Sequence, residues 1–151
     1  MPYYSKSSKD KLASCADPLI ALFSSVIQFY DNKIIQGRRT LEEHKQNLAN
    51  GKTQAEHSEH VQAISEAVDA SPYPVPKDWG SLEEVLKGFA PHDRKRILGI
   101  IKERDKFYHF GGYVQGQADL LGTPVRWGGD WDSDKDFSDQ TFDDLVHFET
   151  K

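Results

Sequence analysis

The chain has 151 residues, of which 28% are charged and 37% hydrophobic, and its formal net charge is −5. This composition predicts an ordered, soluble domain with a real core, and the acidic balance argues against a function that depends on binding nucleic acid. The single cysteine, Cys15, excludes an internal disulfide. No stretch is apolar for long enough to span a membrane, and the N-terminus lacks the apolar core of a signal peptide.

The N-terminal part of the chain is predicted to contain a lead-in segment followed by a helix. Residues 1–16 begin with a polar stretch and are expected to precede the fold proper. Asp17 and Pro18 are a good helix start, because proline suits the first helical position. Apolar residues then recur at helical spacing as far as Tyr30, which predicts an amphipathic helix that packs on a core.

The next predicted elements alternate short strands with helices. Thr40 and Glu43 form the sequence of a capping box, which predicts a helix that begins at Leu41. The other expected elements are, in chain order, a strand at Lys33–Gly37, a loop over 51–57, a strand around Asp69, a helix opened by Ser81 and Glu84, a long helix from Pro91 to about Leu121, and strands at Val125–Trp127 and around His147. This mixture predicts an α+β fold with a small, mainly antiparallel sheet that presents one site.

Three side chains in strand-like or apolar surroundings could bind a metal ion. His60 lies nine residues before Asp69, and His147 lies near the C-terminus. A buried carboxylate such as Asp69 needs a partner. Two histidines and one carboxylate leave a fourth coordination position open, which is typical of catalytic rather than structural zinc. The spacing is not specific by itself, because ordinary hydrogen bonds could also satisfy the two histidines.

Three further residues could act on a substrate at such a site. Asp144 lies three residues before His147 and could serve as a general base and then as a general acid. Arg39 could bind a substrate carboxylate or stabilise an oxyanion, and Ser58 could donate a hydrogen bond to the substrate. Each residue also has a simpler interpretation. Asp144 could be an exposed turn residue, Arg39 a surface arginine, and Ser58 a residue that only shapes its loop.

An acidic stretch near the C-terminus suggests a calcium site. Asp132, Asp134 and Asp136 match positions 1, 3 and 5 of an EF-hand loop. Phe137 then occupies position 6, where the EF-hand needs glycine, and Asp143 replaces the glutamate of position 12. The mismatch predicts a solvated acidic loop rather than an EF-hand, while a weak cation site of another kind stays open.

Five short motifs that occur in order carry a family resemblance. They are Gly37–Thr40, Ser58–His60, Ala67–Asp69 with Ser71–Pro74, Arg126–Asp132 and Asp144–Glu149. Together they resemble phage endolysins of the L-alanyl-D-glutamate peptidase type, in the D-alanyl-D-alanine carboxypeptidase-like group of zinc peptidases. The resemblance spans residues 17–149 and implies the α+β zinc peptidase fold that this group shares with the hedgehog signalling domain.

The resemblance also implies a role for each candidate residue. These roles are ligation of one zinc ion by His60, Asp69 and His147, acid–base catalysis by Asp144, stabilisation of substrate and transition state by Arg39, and substrate binding by Ser58. The chain departs from many relatives in two places. Residues 61–66 contain neither glycine nor proline, and Val146 stands where some relatives have proline.

The implied reaction is hydrolysis of the bond between L-alanine and D-glutamate in the stem peptide of bacterial peptidoglycan. We expect a monomer with one catalytic domain over residues 1–151 and no separate cell-wall-binding domain. A phage lysin of this kind is made in the host cytoplasm and reaches the wall after a separate protein permeabilises the membrane. The alternatives are a D,D-carboxypeptidase or dipeptidase of the same group, a non-catalytic zinc-binding module, and a calcium-dependent wall-binding module.

Overall fold

The computed structural model describes residues 2–51, 58–76, 89–90 and 92–151, without the side chain of Arg94. Its elements in chain order are α1 (Lys6–Leu12), α2 (Asp17–Phe29), β1 (Asn32–Gln36), α3 (Leu41–Ala49), a short 3-10 turn (Glu59–Val61), β2 (Ala67–Pro72), α4 (Arg94–Leu121), β3 (Val125–Trp127) and β4 (His147–Thr150). Most of the predicted loop over 51–57, the helix predicted at Ser81 and Glu84, and the predicted helix start at Pro91 lie outside the described residues.

The four strands form one sheet in the order β1-β2-β4-β3, and every neighbouring pair is antiparallel. The predicted α+β class with a small antiparallel sheet is therefore confirmed. The register places Gln36 opposite Asp69 and Asp69 opposite His147. Residues that are far apart in the sequence thus meet in one row across the sheet, because strands β2 and β4 are neighbours although they are far apart along the chain.

The core lies between the sheet and helices α2 and α4. The predicted apolar face of α2 is confirmed, since its residues Leu19, Leu22, Phe23, Val26 and Ile27 are all buried. Phe148 of β4 packs edge-on against Phe23, with ring centroids 5.6 Å apart. Burying an aromatic or aliphatic side chain of this size contributes about 1.5–3 kcal/mol. Within the described residues, no helix has the length and apolar character needed to cross a bilayer.

The N-terminal segment differs from its prediction as a polar lead-in. Residues Lys6–Leu12 form helix α1, which Ser5 caps by accepting a hydrogen bond from the Ser8 backbone N–H. Leu12 and Cys15 are buried in the core, and Lys11 Nζ donates to the Ile35 carbonyl at 2.6 Å. The sequence signal was misleading because only a few residues of this short helix point inward, so the segment is mostly polar although it packs against β1.

The predicted capping box of α3 is confirmed. The Thr40 side chain accepts a hydrogen bond from the Glu43 backbone N–H, and the Glu43 carboxylate accepts one from the Thr40 backbone N–H at 2.8 Å. These two bonds satisfy N–H groups that have no partner inside the helix. The cap fixes the point at which the chain leaves Arg39 and turns into the helix.

Candidate active site

The three side chains predicted as metal ligands meet at one end of the sheet. Asp69 Oδ1 lies 3.0 Å from His60 Nε2 and 3.2 Å from His147 Nδ1, and the two ring nitrogens are 3.3 Å apart. Asp69 and His147 are cross-strand neighbours on β2 and β4, while His60 comes from the 3-10 turn. We call these three residues the histidine centre. Their predicted role as ligands stays a prediction.

The outer nitrogen of each histidine is held by an oxygen. His60 Nδ1 lies 2.7 Å from the Gly37 carbonyl, and His147 Nε2 lies 3.0 Å from Glu149 Oε2. A carbonyl can only accept a hydrogen bond, and the hydrogen bond to His147 holds the pKa of Glu149 below its usual range, so both outer nitrogens donate. The inner nitrogens then turn toward the centre, in the arrangement that orients metal-bound histidines elsewhere.

Gly37 is required by the packing around this contact. A Cβ atom at Gly37 would collide with the Lys11 carbonyl and would lie 2.5 Å from Ser14 Oγ. The Arg38 backbone N–H donates to the same Ser14 Oγ at 2.8 Å. Helix α1 and the residues after it therefore hold the end of β1 in the position from which Gly37 reaches His60.

The donor set fits a divalent metal of the zinc type. Two imidazole nitrogens and a carboxylate oxygen converge, and electron pairs this close repel each other unless a cation or a proton lies among them. Burial opposes ionisation of Asp69, but hydrogen bonds to His147 and His60 outweigh it and hold its pKa well below the usual range. Burial likewise lowers the pKa of His147, but its hydrogen bonds to Asp69 and Glu149 outweigh that effect and raise it to about 10. Without metal, a proton on His147 therefore takes the cation's place.

Asp144 reaches this centre through a tight turn before β4. The His147 backbone N–H donates to the Asp144 carbonyl at 3.0 Å, which closes the turn. The Asp144 N–H donates to the Gly128 carbonyl at 2.7 Å, and the Gly128 N–H donates to the His147 carbonyl at 2.9 Å. A Cβ atom at Gly128 would collide with the Asp144 backbone, so a glycine is needed for this close approach.

The ionisation of Asp144 is tuned by its position. Burial raises the pKa of Asp144 to about 6, and the negative charge of Asp69 adds to the rise. The charges of His147, His60 and Arg39 act in the opposite direction. A carboxylate with a pKa near neutrality can both accept and return a proton, which a catalytic acid/base must do. Asp144 thus lies in a turn, and its position there is compatible with a role in acid–base catalysis.

A buried ion pair braces the residue next to Asp144. Arg104 Nη2 of α4 lies 2.7 Å from Asp143 Oδ2, and the Arg104 side chain is only 4% exposed. This ion pair connects the backbone next to Asp144 to helix α4. We expect this brace to limit the motion of the turn that carries Asp144.

Arg39 and Ser58 occupy different positions relative to the centre. Arg39 Nη2 lies 3.9 Å from Asp69 Oδ2, and the Arg39 backbone N–H donates to the His60 carbonyl at 2.7 Å. Its guanidinium is thus placed beside the centre. Ser58 Oγ accepts a hydrogen bond from the His60 backbone N–H at 3.4 Å, so this serine shapes the turn that carries His60. The substrate contact predicted for Ser58 stays a prediction.

Sequence reasoning assigned no role to Glu149, Arg126 or Trp131. Arg126 of β3 donates two hydrogen bonds to Glu149, and its guanidinium lies 5.6 Å from the Trp131 ring centroid. The Trp131 ring lies 5.5 Å from that of His147 and covers one side of the centre. One signal was available for Glu149, because residues two apart on a strand share a face and Glu149 follows His147 by two.

Comparison with known proteins identifies the family. The family model for phage L-alanyl-D-glutamate peptidases matches residues 2–100. The chain belongs to this family. The L-Ala D-Glu endopeptidase ChiX of Serratia marcescens has a similar fold, with a TM-score of 0.65 and 18% sequence identity, over 100% of this chain and 90% of that chain. No curated protein matches the sequence.

Membership of the phage L-alanyl-D-glutamate peptidase family confirms the resemblance seen in the sequence motifs. The chain is a peptidase of the peptidoglycan hydrolase class, and its fold is that of an L-Ala D-Glu endopeptidase. The family model ends at residue 100, before Asp144 and His147. These two residues join the site through the sheet register and the turn before β4, and the sequence match does not reach them.

Proposed function

We propose that this peptidase is a zinc-dependent endopeptidase that cleaves the bond between L-alanine and D-glutamate in the peptidoglycan stem peptide. The observation that carries the proposal is the convergence of His60, Asp69 and His147 with both outer imidazole nitrogens already engaged. The three remaining donor atoms point at one another, and a zinc ion fits this set of two nitrogens and one oxygen. The matched family supplies the substrate class.

The side chains around the centre divide the chemistry among them. His60, Asp69 and His147 would hold a zinc ion, which would supply Lewis-acid chemistry for the scissile carbonyl and for the attacking water. Asp144 takes the proton of the attacking water and returns it to the nitrogen of the leaving D-glutamate, for which its pKa of about 6 is suited. Arg39 lies beside Asp69 and offers its guanidinium to the oxyanion that develops on the carbonyl oxygen.

Fragment analysis of digested peptidoglycan tests this proposal. Purified sacculi are incubated with the protein as isolated, after chelation, and after chelation followed by added zinc. We expect new L-alanine C-termini and new D-glutamate N-termini by mass spectrometry, lost on chelation and restored by zinc. Release of free D-alanine instead would identify a D,D-carboxypeptidase. Unchanged fragments in all three samples would reject the enzymatic role and leave a binding module.

We further propose that the protein is a phage lysin that acts as a monomer on the wall of its host. The phage origin of the matched family supports this setting. In the test, the protein is expressed in the host cytoplasm with and without a membrane-permeabilising protein. Lysis is expected only when both are present. Lysis by the peptidase alone would show that it crosses the membrane by another route.

A further inference from the structure

Three aspartates in the stretch from 130 to 139, which we call the acidic loop, converge away from the histidine centre. Asp130, Asp132 and Asp134 each offer a carboxylate oxygen, and these oxygens lie within 4.8 Å of one another. The residues alternate along the chain, so one bend of the backbone brings their side chains to the same point. All the side-chain donors in this set are oxygens, which suit hard cations such as Ca²⁺ rather than zinc.

The burial of Asp130 points to a ligand at this position. Asp130 is only 1% exposed, and its Oδ1 atom has no hydrogen-bond partner among the described residues. The other oxygen, Oδ2, accepts a hydrogen bond from the Lys135 backbone N–H at 3.3 Å. A buried carboxylate with one unsatisfied oxygen is unfavourable unless a cation completes it. Solvation of an exposed acidic loop does not account for this residue.

The backbone of the loop matches a calcium loop that begins two residues earlier than the EF-hand register rejected in the sequence analysis. If Asp130 takes position 1, then Asp132 and Asp134 take positions 3 and 5, and Lys135 takes position 6. Lys135 has φ 73°, the left-handed conformation for which EF-hands use glycine at that position. This register was not predicted from the sequence, because a lysine stands where a glycine is expected.

Among the described residues, the aspartates that come together are Asp130, Asp132 and Asp134, and Asp136 is not one of them. Asp136 Oδ1 accepts hydrogen bonds from the Ser138 N–H at 2.9 Å and from the Ser138 hydroxyl at 2.6 Å. Position 12 of the shifted register is Thr141, which has no carboxylate. The loop is therefore a shorter oxygen site than an EF-hand, and we expect it to bind more weakly.

We propose that the acidic loop binds one Ca²⁺ ion through Asp130, Asp132 and Asp134, separately from the histidine centre. Three carboxylates without the bidentate glutamate give an expected dissociation constant of about 10⁻⁴ to 10⁻³ M, as in extracellular calcium modules. The site does not depend on the catalytic role proposed above.

Binding is expected to be visible through Trp131, which lies between two of the ligands in the sequence. Its backbone N–H donates to Gln140 Oε1 at 3.1 Å, and Gln140 Nε2 donates to Asp132 Oδ1 at 3.2 Å. The backbone of Trp131 is therefore part of the same hydrogen-bond network as a ligand, and the indole is carried by that backbone. Tb³⁺, which replaces Ca²⁺ in oxygen sites, is excited by a nearby tryptophan and gives a direct signal of occupancy.

Titration of the zinc-saturated protein with Ca²⁺ and Tb³⁺ tests the proposal. The variant Asp130→Asn removes the buried ligand charge, and Asp136→Asn is the matched control in the same loop. For the natural chain and for Asp136→Asn, we expect sensitised Tb³⁺ emission that Ca²⁺ displaces, and a melting temperature that rises with Ca²⁺. For Asp130→Asn we expect at least about tenfold weaker binding, since the number of ligand charges sets the affinity of such loops.

Two results would overturn the proposal. Equal responses of the Asp130→Asn and Asp136→Asn variants would show that Ca²⁺ binds elsewhere or acts only through general charge. No response of the natural chain up to about 10 mM Ca²⁺, well above the weakest calcium modules, would show that the loop binds no ion. If Asp130→Asn is not folded by circular dichroism, Asp132→Asn at the exposed ligand replaces it, with the same expected loss.

Discussion

The histidine centre and the acidic loop collect charged groups in opposite ways. The histidine centre draws His60, Asp69 and His147 from three elements, and each histidine has a second partner behind it. The acidic loop takes its aspartates from alternate positions of one turn, and the oxygen Oδ1 of Asp130 has no partner among the described residues. A set built across a sheet is rigid and suits chemistry, while a set built on one turn suits reversible binding of a hard cation.

The two sites also differ in what holds them when no metal is bound. The raised pKa of His147 means that a proton can bridge the histidine centre. The acidic loop has no histidine among its proposed ligands, which are all aspartates. Metal should therefore displace a proton at the first site and fill an unsatisfied position at the second. The predictions below test this difference, from the largest expected effect to the smallest.

The largest effect is expected from Asp144→Asn. The amide cannot take a proton from water, so the rate of peptidoglycan cleavage should fall by about 10²- to 10⁴-fold. Zinc content, measured by atomic absorption, should stay at one ion, and the Ca²⁺ response of the acidic loop should be unchanged. Asp139→Asn, an exposed aspartate of the acidic loop, is the control and should keep full activity. Near-normal activity of Asp144→Asn would remove this residue from the mechanism.

The next effect concerns the contact behind His147. In Glu149→Ala the His147 Nε2–H loses its acceptor, and zinc affinity should fall by about 10- to 100-fold. Glu149→Gln keeps an acceptor oxygen and should lose less. Competition with a chromogenic chelator measures both variants. Glu66→Ala, on an exposed residue, is the control. Equal affinity of all three variants would mean that Glu149 supports only the strand.

A stability measurement tests the environment of Asp144 in the metal-free protein. Its folded-state pKa of about 6 lies above the ordinary value, so its charge opposes folding above that pH and not below the unfolded value. Asp144→Asn should therefore stabilise the chelated protein by about 2 kcal/mol at neutral pH, and the gain should disappear as the pH falls from about 6 to 4. Urea unfolding at several pH values measures this. A constant gain across the range would contradict the assignment.

Proton release on zinc binding tests the protonation of the histidine centre. His147, with a pKa of about 10, is protonated at neutral pH in the metal-free protein, so zinc should displace about one proton. Calorimetry in buffers with different ionisation enthalpies counts the protons. The same count also predicts that zinc affinity rises with pH until His147 is deprotonated. A zinc titration without proton release would show that the histidine centre is held differently.

The same His147 proton makes the stability of the metal-free fold depend on pH. The folded-state pKa lies above the unfolded value, so this stabilisation is complete below about pH 6.5 and is lost as the pH rises toward about 10. Thermal unfolding of the chelated protein should therefore shift to lower temperature over that range. Zinc-loaded protein should not show the shift, since the metal takes the proton's place.

The sequence alone determined the residue types of the site and their order. Capping residues and helical spacing set α2 and α3, and the motifs around His60, Asp69 and His147 identified the family before any geometry was known. These features are local, because caps and amphipathic faces depend on neighbours within a few residues. The α+β class followed from the mixture of such segments.

Only the tertiary structure decided how these segments meet. The segment 61–66, which lacks the expected glycine or proline, is held by backbone hydrogen bonds from the Ser65 N–H to the Ser14 carbonyl and from the Ala16 N–H to the Ser65 carbonyl. The residues that follow helix α1 therefore support this segment, and together with α1 they also hold Gly37, although the N-terminal sequence is mostly polar. The contact between His147 and Glu149 and the calcium register of Asp130 depend on burial and backbone angles. Burial and backbone angles cannot be read from the sequence, because they arise only when distant strands pair and a loop folds against them.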